Sequence, residues 1–205
     1  MKEQFAYPVD RFKGFSDAVF AIAITLLVLK FALPGDLPAK PTLAEQLNAL
    51  LAIWPQYLTF FIGFFTIGVV WLNHTALFRD AQNITHHIMI SNLALLFFVV
   101  LMPFPAAILE RFGHTRVSAV FYGIILTLVV ASFWNLRYRF LQAHPSERHR
   151  LPPLAYLTLP LYPVFTVVSY FAPIIGILGF LALTIVALLP RDTSAFAQER
   201  SPNSA

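Results

Sequence analysis

Polar residues whose types could bind or move cations lie beside long apolar segments in the first half of the chain. Ser16 and Asp17 stand at the start of one apolar run, His74 lies at the end of a second, and Asn92 lies near the start of a third. A carboxylate, an imidazole and an amide can hold protons or cations, and they can also join helices through hydrogen bonds. An ion path or proton relay and a structural network are therefore both open roles for these residues.

The spacing of these side chains does not match a known class of enzyme or metal site. The sequence contains no HExxH, GxSxG or phosphate-binding glycine motif, and it contains no cysteine. His86 and His87 are neighbours, so on a helix their side chains would point about 100° apart. Because that spacing does not form an i, i+4 pair of ligands, we predict no metal site. Because the enzyme motifs are missing from the sequence, we also predict no catalytic residue and no cofactor.

The composition is that of an integral membrane protein. Of the 205 residues, 58% are hydrophobic and 12% are charged. Soluble domains have about 45–50% apolar and about 25% charged residues. The formal net charge of +4 could suggest nucleic acid, but in a membrane protein such an excess collects in cytoplasmic loops. We therefore predict contact with membrane lipids and no nucleic acid partner.

Six apolar segments have the length needed to cross a bilayer, about 17–25 residues. Residues 151–190 carry no ionisable Lys, Arg, Asp, Glu or His. As one helix they would extend about 60 Å, twice the hydrocarbon core of about 30 Å. They must fold back, and Pro173 is the expected corner. The predicted spans are residues 15–33, 51–72, 88–109, 117–136, 152–171 and 173–190.

Several residues predict where these helices begin, end or bend. Asp10 can cap the start of the first helix, and Pro34 with Gly35 can end it. The second helix can begin near residue 43, after a polar segment that contains Thr42 and Glu45. Two prolines predict a bend near the end of the third span, Pro103 and Pro105.

The distribution of lysine and arginine predicts that both termini are cytoplasmic. With that orientation, ten of these residues lie on inner segments and four on outer segments. Residues 1–190 then form a transmembrane domain of six helices, residues 137–150 include a basic cytoplasmic loop, and residues 191–205 form a disordered cytoplasmic tail. One depth on three helices is shared by Ser16, Asp17, Trp71, Asn73, His74 and Asn92.

A smooth apolar stripe follows one side of the first span. On a helical wheel it is about 100° wide. Its members are Ala18, Ile22, Thr25, Leu26 and Leu29. The wheel puts on the other side Asp17, Ala21, Ile24 and Val28. Such a stripe can face lipid, pack on another helix or form a constriction that excludes water from a channel.

The segment RFKGFSDAVFAIAITLLVL, residues 11–29, resembles the opening helix of the transmembrane protein 175 family, which carries the signature RxxxFSD. The matching positions are Arg11, Phe15, Ser16 and Asp17. Members of that family are potassium-permeable channels of bacteria, archaea and animal endolysosomes. The six-span length, with Trp71 and His74 at the end of the second span, also resembles the bacterial members.

The resemblance implies a homotetramer whose first helices line a central pore for potassium and other monovalent cations. It assigns the pore constriction to Ile22, further apolar layers to Leu26 and Leu29, and a contact with the pathway to Thr25. Asp17 would anchor the pore helix from behind. The implied structural network consists of Arg11, Phe15, Ser16, Asp17, Trp71, His74 and Asn92.

A single copy of the signature predicts a prokaryotic protein of the inner membrane. The alternative function is that of a secondary transporter, with a proton- or cation-coupled site at Asp17 and His74. Such transporters often contain internal repeats and pairs of interrupted helices. The short chain and the lack of a detectable repeat favour the channel.

Overall fold

The computed structural model describes residues 8–29, 31–35, 38–112, 115–145 and 153–188. All regular elements in these segments are α-helices, so the predicted all-α class is confirmed for them. The helices are α1 (Val9–Val28), α2 (Leu43–Ala52), α3 (Trp54–Leu77), α4 (His86–Leu101), α5 (Pro103–Phe112), α6 (Arg116–Ala143), α7 (Pro153–Phe171) and α8 (Pro173–Leu188).

Three helical segments in the described part of the chain are long and apolar enough to cross a membrane. They are Trp54–Leu77, His86–Leu109 and Arg116–Ala143. The segment His86–Leu109 comprises α4 and most of α5. Two shorter apolar helical segments, Leu159–Phe171 and Pro173–Leu188, form the hairpin that was expected at the C-terminal side. The count of six spans stays a prediction, as does the cytoplasmic tail at residues 191–205, which lies outside the described residues.

Prolines decide where the helices break. The prediction of one continuous second helix from residue 43 is wrong, because α2 and α3 are separated at Ile53. Pro55 lies in the first turn of α3, where its missing N–H is harmless, whereas inside a continuous helix it would clash with the preceding turn. The predicted bend in the third span is a break between Leu101 and Pro103, and the corner before Pro173 is confirmed.

The ends of α1 and α6 differ from the sequence-based expectation. Helix α1 ends at Val28 rather than Leu33, and Pro8 precedes it without a side-chain cap, so Asp10 is a first-turn residue and not the cap. Helix α6 continues through Ala143, which makes Arg137 a buried helical residue instead of part of a loop. The extension follows from packing, since Phe140 is fully buried and contacts Phe78 at a ring-centroid distance of 4.9 Å.

Helix α3 contacts both α1 and α8, and α6 contacts both α4 and the α7–α8 hairpin, so these two helices connect α1 and α4 to the hairpin. Helix α1 packs against α3, α4 and α5. The α7–α8 hairpin packs against α6, and its second helix, α8, also contacts α3. Helix α2 contacts α3. One side of α1 therefore packs against the protomer, mainly on α3 and α4.

The α7–α8 hairpin depends on a close approach at Gly176. A Cβ atom added there would lie 2.8 Å from the Cα atom of Ser169 on α7, which is closer than real Cβ atoms come to backbone. Small residues at such contacts let apolar helices pack tightly in a membrane.

We predict that Gly176→Ala lowers the stability of the fold by about 1–3 kcal/mol, because the added methyl group overpacks the contact. Gly68→Ala on α3 is the matched control, since a Cβ atom at Gly68 meets nothing within 4 Å. The control is expected to keep or raise stability, by up to about 1 kcal/mol from helix propensity. Thermal unfolding in detergent, followed by tryptophan fluorescence, measures both variants. Equal melting temperatures would contradict the predicted close packing.

Candidate functional site

Helix α1 has one buried face, which fixes its orientation within the protomer. Its buried residues are Phe12, Ser16, Phe20, Ala23 and Leu27. Their spacing of three to four residues places them on one side of the helix. This side faces α3 and α4, the two helices that carry the other members of the predicted polar network.

The apolar stripe of α1 is not covered by the rest of the protomer. Ile22 is 58% exposed, Leu26 is 37% exposed and Leu29 is 72% exposed. Thr25, within the same stripe, is exposed and donates its hydroxyl hydrogen to the Ile22 carbonyl oxygen at 2.9 Å. That bond uses the donor of Thr25 and leaves its oxygen able to accept. Ala18 is also exposed, so the stripe offers four apolar side chains and one hydroxyl oxygen to whatever lies outside the protomer.

The buried face of α1 carries a hydrogen-bond network that joins three helices. The side-chain amide of Asn92 on α4 donates to the Ser16 hydroxyl oxygen at 2.9 Å, and Ser16 donates to the Phe12 carbonyl oxygen at 2.9 Å. The amide oxygen of Asn92 pairs with Nε2 of His74 on α3, also at 2.9 Å. Ser16, Asn92 and His74 are each at most 1% exposed. Burial without these partners would cost free energy, so the three side chains hold one another in place.

Aromatic rings surround the imidazole of His74. The ring centroids of Phe12 and Phe20 on α1 lie 5.9 Å and 5.5 Å from it, and that of Phe78 lies 4.8 Å away. The network is thus enclosed by apolar groups. This enclosure fixes the imidazole as a packing element between α1 and α3 as well as a hydrogen-bonding one.

Asp17 joins α1 to α3 at the edge of the buried face. The indole Nε1 of Trp71 donates to Oδ1 of Asp17 at 2.8 Å, and both side chains reach the protomer surface. The expected role of Asp17 as an anchor of the pore helix stays a prediction: Asp17 links α1 to α3, and Ser16 lies within the buried face itself. The side opposite the stripe is the buried face of α1, whereas Ala21 and Val28 are exposed. A helical wheel groups residues by side, but it does not show which side of α1 packs against the other helices.

The remaining predicted network residues lie outside the buried cluster. Arg11 is exposed and Phe15 is 55% exposed, so the structure brings neither into the Ser16–Asn92–His74 group. Asn73, which was predicted at the same depth, donates to the Val69 carbonyl oxygen of its own helix at 2.7 Å.

Two residues that tie the ends of α1 to the bundle were missed from the sequence. The side-chain amide of Gln56 on α3 pairs with the backbone of Ala32, accepting from its N–H and donating to its carbonyl oxygen, each at 3.0 Å. Lys13 donates to the Arg79 carbonyl oxygen at 3.3 Å, just after α3. Gln56 carried a usable signal, because it is a lone amide at the start of an apolar run.

Acidic residues and histidines do not converge on a metal site within the described segments. No three His, Asp or Glu side chains there are grouped so that they could hold an ion. The polar groups around α1 can therefore position helices or contact a passing ion, and the described geometry has no preformed metal cage.

We predict that Ser16→Ala and Asn92→Ala are energetically coupled by about 0.6–1.7 kcal/mol, the range of interhelical hydrogen bonds in membranes. A double-mutant cycle on unfolding in detergent measures this coupling. Ser16→Ala with Thr184→Ala is the matched control, because Thr184 belongs to a separate hydrogen bond with Thr66. That pair is expected to add within about 0.3–0.5 kcal/mol. Additive effects in the Ser16–Asn92 cycle would show that the network does not hold α1.

Comparison with known proteins identifies the family. The sequence profile of the family described as endosomal/lysosomal potassium channel TMEM175 matches residues 11–103. A protein of Chamaesiphon minutus described as a potassium channel is 38% identical over 124 residues, which are 58% of this chain and 60% of that protein. A Streptomyces collinus protein described as a potassium channel is 33% identical over 135 residues, covering 62% and 63% of the two chains. The matched regions thus span about three fifths of the length of these two relatives.

The fold is similar to a solved structure over most of both chains. The crystal structure of a lysosomal potassium-selective channel TMEM175 homolog from Chamaesiphon minutus aligns with a TM-score of 0.74 and 30% sequence identity. The alignment covers 88% of this chain and 96% of that one. The family comprises ion channels and not enzymes. With the RxxxFSD signature on α1 and this shared fold, the chain belongs to the TMEM175 family.

Proposed function

We propose that this protein is a passive potassium channel, in which α1 lines a central pore formed by four copies of the chain. The observation that carries the proposal is the two-sided character of α1. One side is locked to α3 and α4, whereas the other leaves Ile22, Leu26 and Leu29 exposed. Membership of a channel family, and the potassium channels among its relatives, support the choice of a pore over other uses of an apolar stripe.

The apolar stripe suits a constriction that excludes water. Four Ile22 side chains facing one axis would form a dry ring, and Leu26 and Leu29 would add further layers toward the outer end. A cation that crosses such a ring loses hydration, so the ring sets a barrier that depends on its width. Thr25 would offer hydroxyl oxygens between these layers, where they could replace part of the lost water. Potassium and other monovalent cations are the expected permeant species.

The proposed topology has six spans and two cytoplasmic termini in a prokaryotic inner membrane. Helices α1, α3, α6, α7 and α8 would each cross the membrane, and α4 with α5 would form the remaining span. Residues 1–190 would form the channel domain, and residues 191–205 would form a cytoplasmic tail. The excess of lysine and arginine on the inner segments supports this orientation.

We predict that Ile22→Asn raises potassium current, because an amide hydrates the constriction and lowers the barrier to the cation. A barrier lower by about 1.4 kcal/mol gives about tenfold more current. Single-channel recording in planar bilayers, together with potassium flux from liposomes, measures the change. Unchanged single-channel current in this variant would contradict the assignment of Ile22 to the pore.

Ile174→Asn is the matched control for this experiment. Ile174 on α8 is 57% exposed, close to the 58% exposure of Ile22, but it lies outside the α1 stripe. We expect the control to conduct as the wild-type protein does. Equal gains in both variants would mean that an exposed asparagine acts through a general effect on the bundle.

Asp17→Asn separates the channel from a transporter. The variant keeps an oxygen that can accept from the Trp71 indole, but it loses the carboxylate that a coupled proton or cation would need. We predict that potassium flux persists in liposomes and does not require a proton gradient, in both the wild-type protein and the variant. Loss of flux in a variant that still folds, or wild-type flux that follows a proton gradient, would favour coupled transport.

A further inference from the structure

Helix α2 has an apolar side that the rest of the protomer does not cover. Leu43 and Leu51 are 72% and 70% exposed, and Leu47 and Leu50 are 51% and 47% exposed. At about 100° per residue these four leucines lie within an arc of about 100°. The buried residue of α2 is Ala49, which is 6% exposed. Ala49 lies about 150° from the middle of the leucine arc, so the leucines point away from α3.

The other sides of α2 carry three polar residues, Glu45, Gln46 and Asn48, together with three alanines, and local hydrogen bonds fix the start of the helix. The Thr42 hydroxyl oxygen accepts from the Glu45 N–H at 3.3 Å, and the Glu45 carboxylate accepts from the Thr42 N–H at 2.6 Å. The second of these bonds, together with a hydrogen bond from the Thr42 hydroxyl to the Glu45 carboxylate at 2.8 Å, lowers the pKa of Glu45, which favours its charged form. Asn48 is also exposed. The helix is thus amphipathic, with a carboxylate that disfavours full insertion into hydrocarbon.

The position of α2 along the chain puts it at the end of a membrane span. One residue, Ile53, separates α2 from the apolar segment Trp54–Leu77. Because α3 must leave the hydrocarbon near its first residue, the C-terminal end of α2 lies at the boundary between hydrocarbon and headgroups. Trp54 is 53% exposed at the junction, as expected of a tryptophan at the level of the headgroups.

Two cationic side chains lie near the two ends of α2. Lys40 is exposed just before α2. Arg111, on α5, is exposed and lines a cleft of about 500 Å³ together with Ile53 and Gln56. Positive side chains at headgroup level attract anionic phospholipids. Lys40 before the start of α2 and Arg111 beside Ile53 at its end therefore complement a bilayer surface rather than a second apolar protein face.

We propose that α2 is an interfacial helix that docks on the lipid bilayer, with its leucine side in the boundary between headgroups and acyl chains. Amphipathic helices of this kind bury their apolar side about 5–10 Å deep, parallel to the membrane plane. The break at Ile53 lets α2 leave the direction of α3 and take that course. The lipid contact is made independently of ion conduction, so it goes beyond the proposed channel function.

Spin labels can test this docking directly, because the chain contains no cysteine. The labels are attached in four separate variants, Leu47→Cys, Leu50→Cys, Glu45→Cys and Asn48→Cys. The full protein is reconstituted in vesicles of phosphatidylethanolamine and phosphatidylglycerol. Electron paramagnetic resonance then compares collisions with oxygen, which concentrates in lipid, and with a nickel chelate, which stays in water.

The expected result is a clear split between the two pairs of labels. Labels at 47 and 50 should collide mainly with oxygen at a shallow depth, and labels at 45 and 48 should collide mainly with the nickel chelate. Low access to both reagents at 47 and 50 would mean that a second copy of the chain covers the leucines, which would overturn the proposal. Equal nickel access at all four positions would place α2 in water and would also overturn it. The experiment measures no ion flux, so its failure leaves the channel proposal to its own tests.

Discussion

The hydrogen bonds among Ser16, Asn92 and His74 are the constraint on which the rest of the candidate site depends. Each of these side chains is buried in an apolar bundle, where an unpaired polar group costs free energy. Because each finds its partner on a different helix, the two bonds determine how α1, α3 and α4 are turned relative to one another. The rotation of α1 follows from this, and so does the identity of the stripe that it leaves exposed. Trp71 and Asp17 add a second link at the edge of that contact.

The segmentation of the bundle follows from a different constraint, the missing N–H of proline. Pro55 separates α2 from α3, Pro103 separates α4 from α5, and Pro173 begins α8. The first of these breaks also determines how the C-terminal end of α1 is held. It starts α3 at a point where Gln56 can pair with the backbone of Ala32, beyond the last turn of α1. The two ends of α1 are therefore tied to α3 and its following segment by different means, an amide pair at one end and Lys13 at the other.

Sequence reasoning could predict the features that depend on composition and local chemistry. The helical class, the proline corner before Pro173 and the placing of Ser16, His74 and Asn92 near one another all follow from apolar runs and their order. It could not predict which side of α1 packs, because Phe12, Phe15 and Phe20 are the same type of residue, and a wheel does not show which of them is buried. Tertiary packing decided that choice. The same reason explains the length of α6, where a buried Phe140 carries the helix past Arg137 although the charges suggested a loop.

In the proposed channel, this arrangement restricts how the pore could open. Rotation of α1 alone would separate Ser16 from Asn92 and would strain the bond between Asp17 and Trp71. Each interhelical bond of this kind contributes about 0.6–1.7 kcal/mol, and the buried partners would also be left unpaired. Outward movement of α1 together with α3, α4 and the helices that pack on them, α6 and α8, keeps all of these bonds and still widens a ring of Ile22 side chains. Dilation in which each protomer moves as one body therefore costs less than rotation of α1 alone, because the contacts that must change then lie between copies of the chain and not within one.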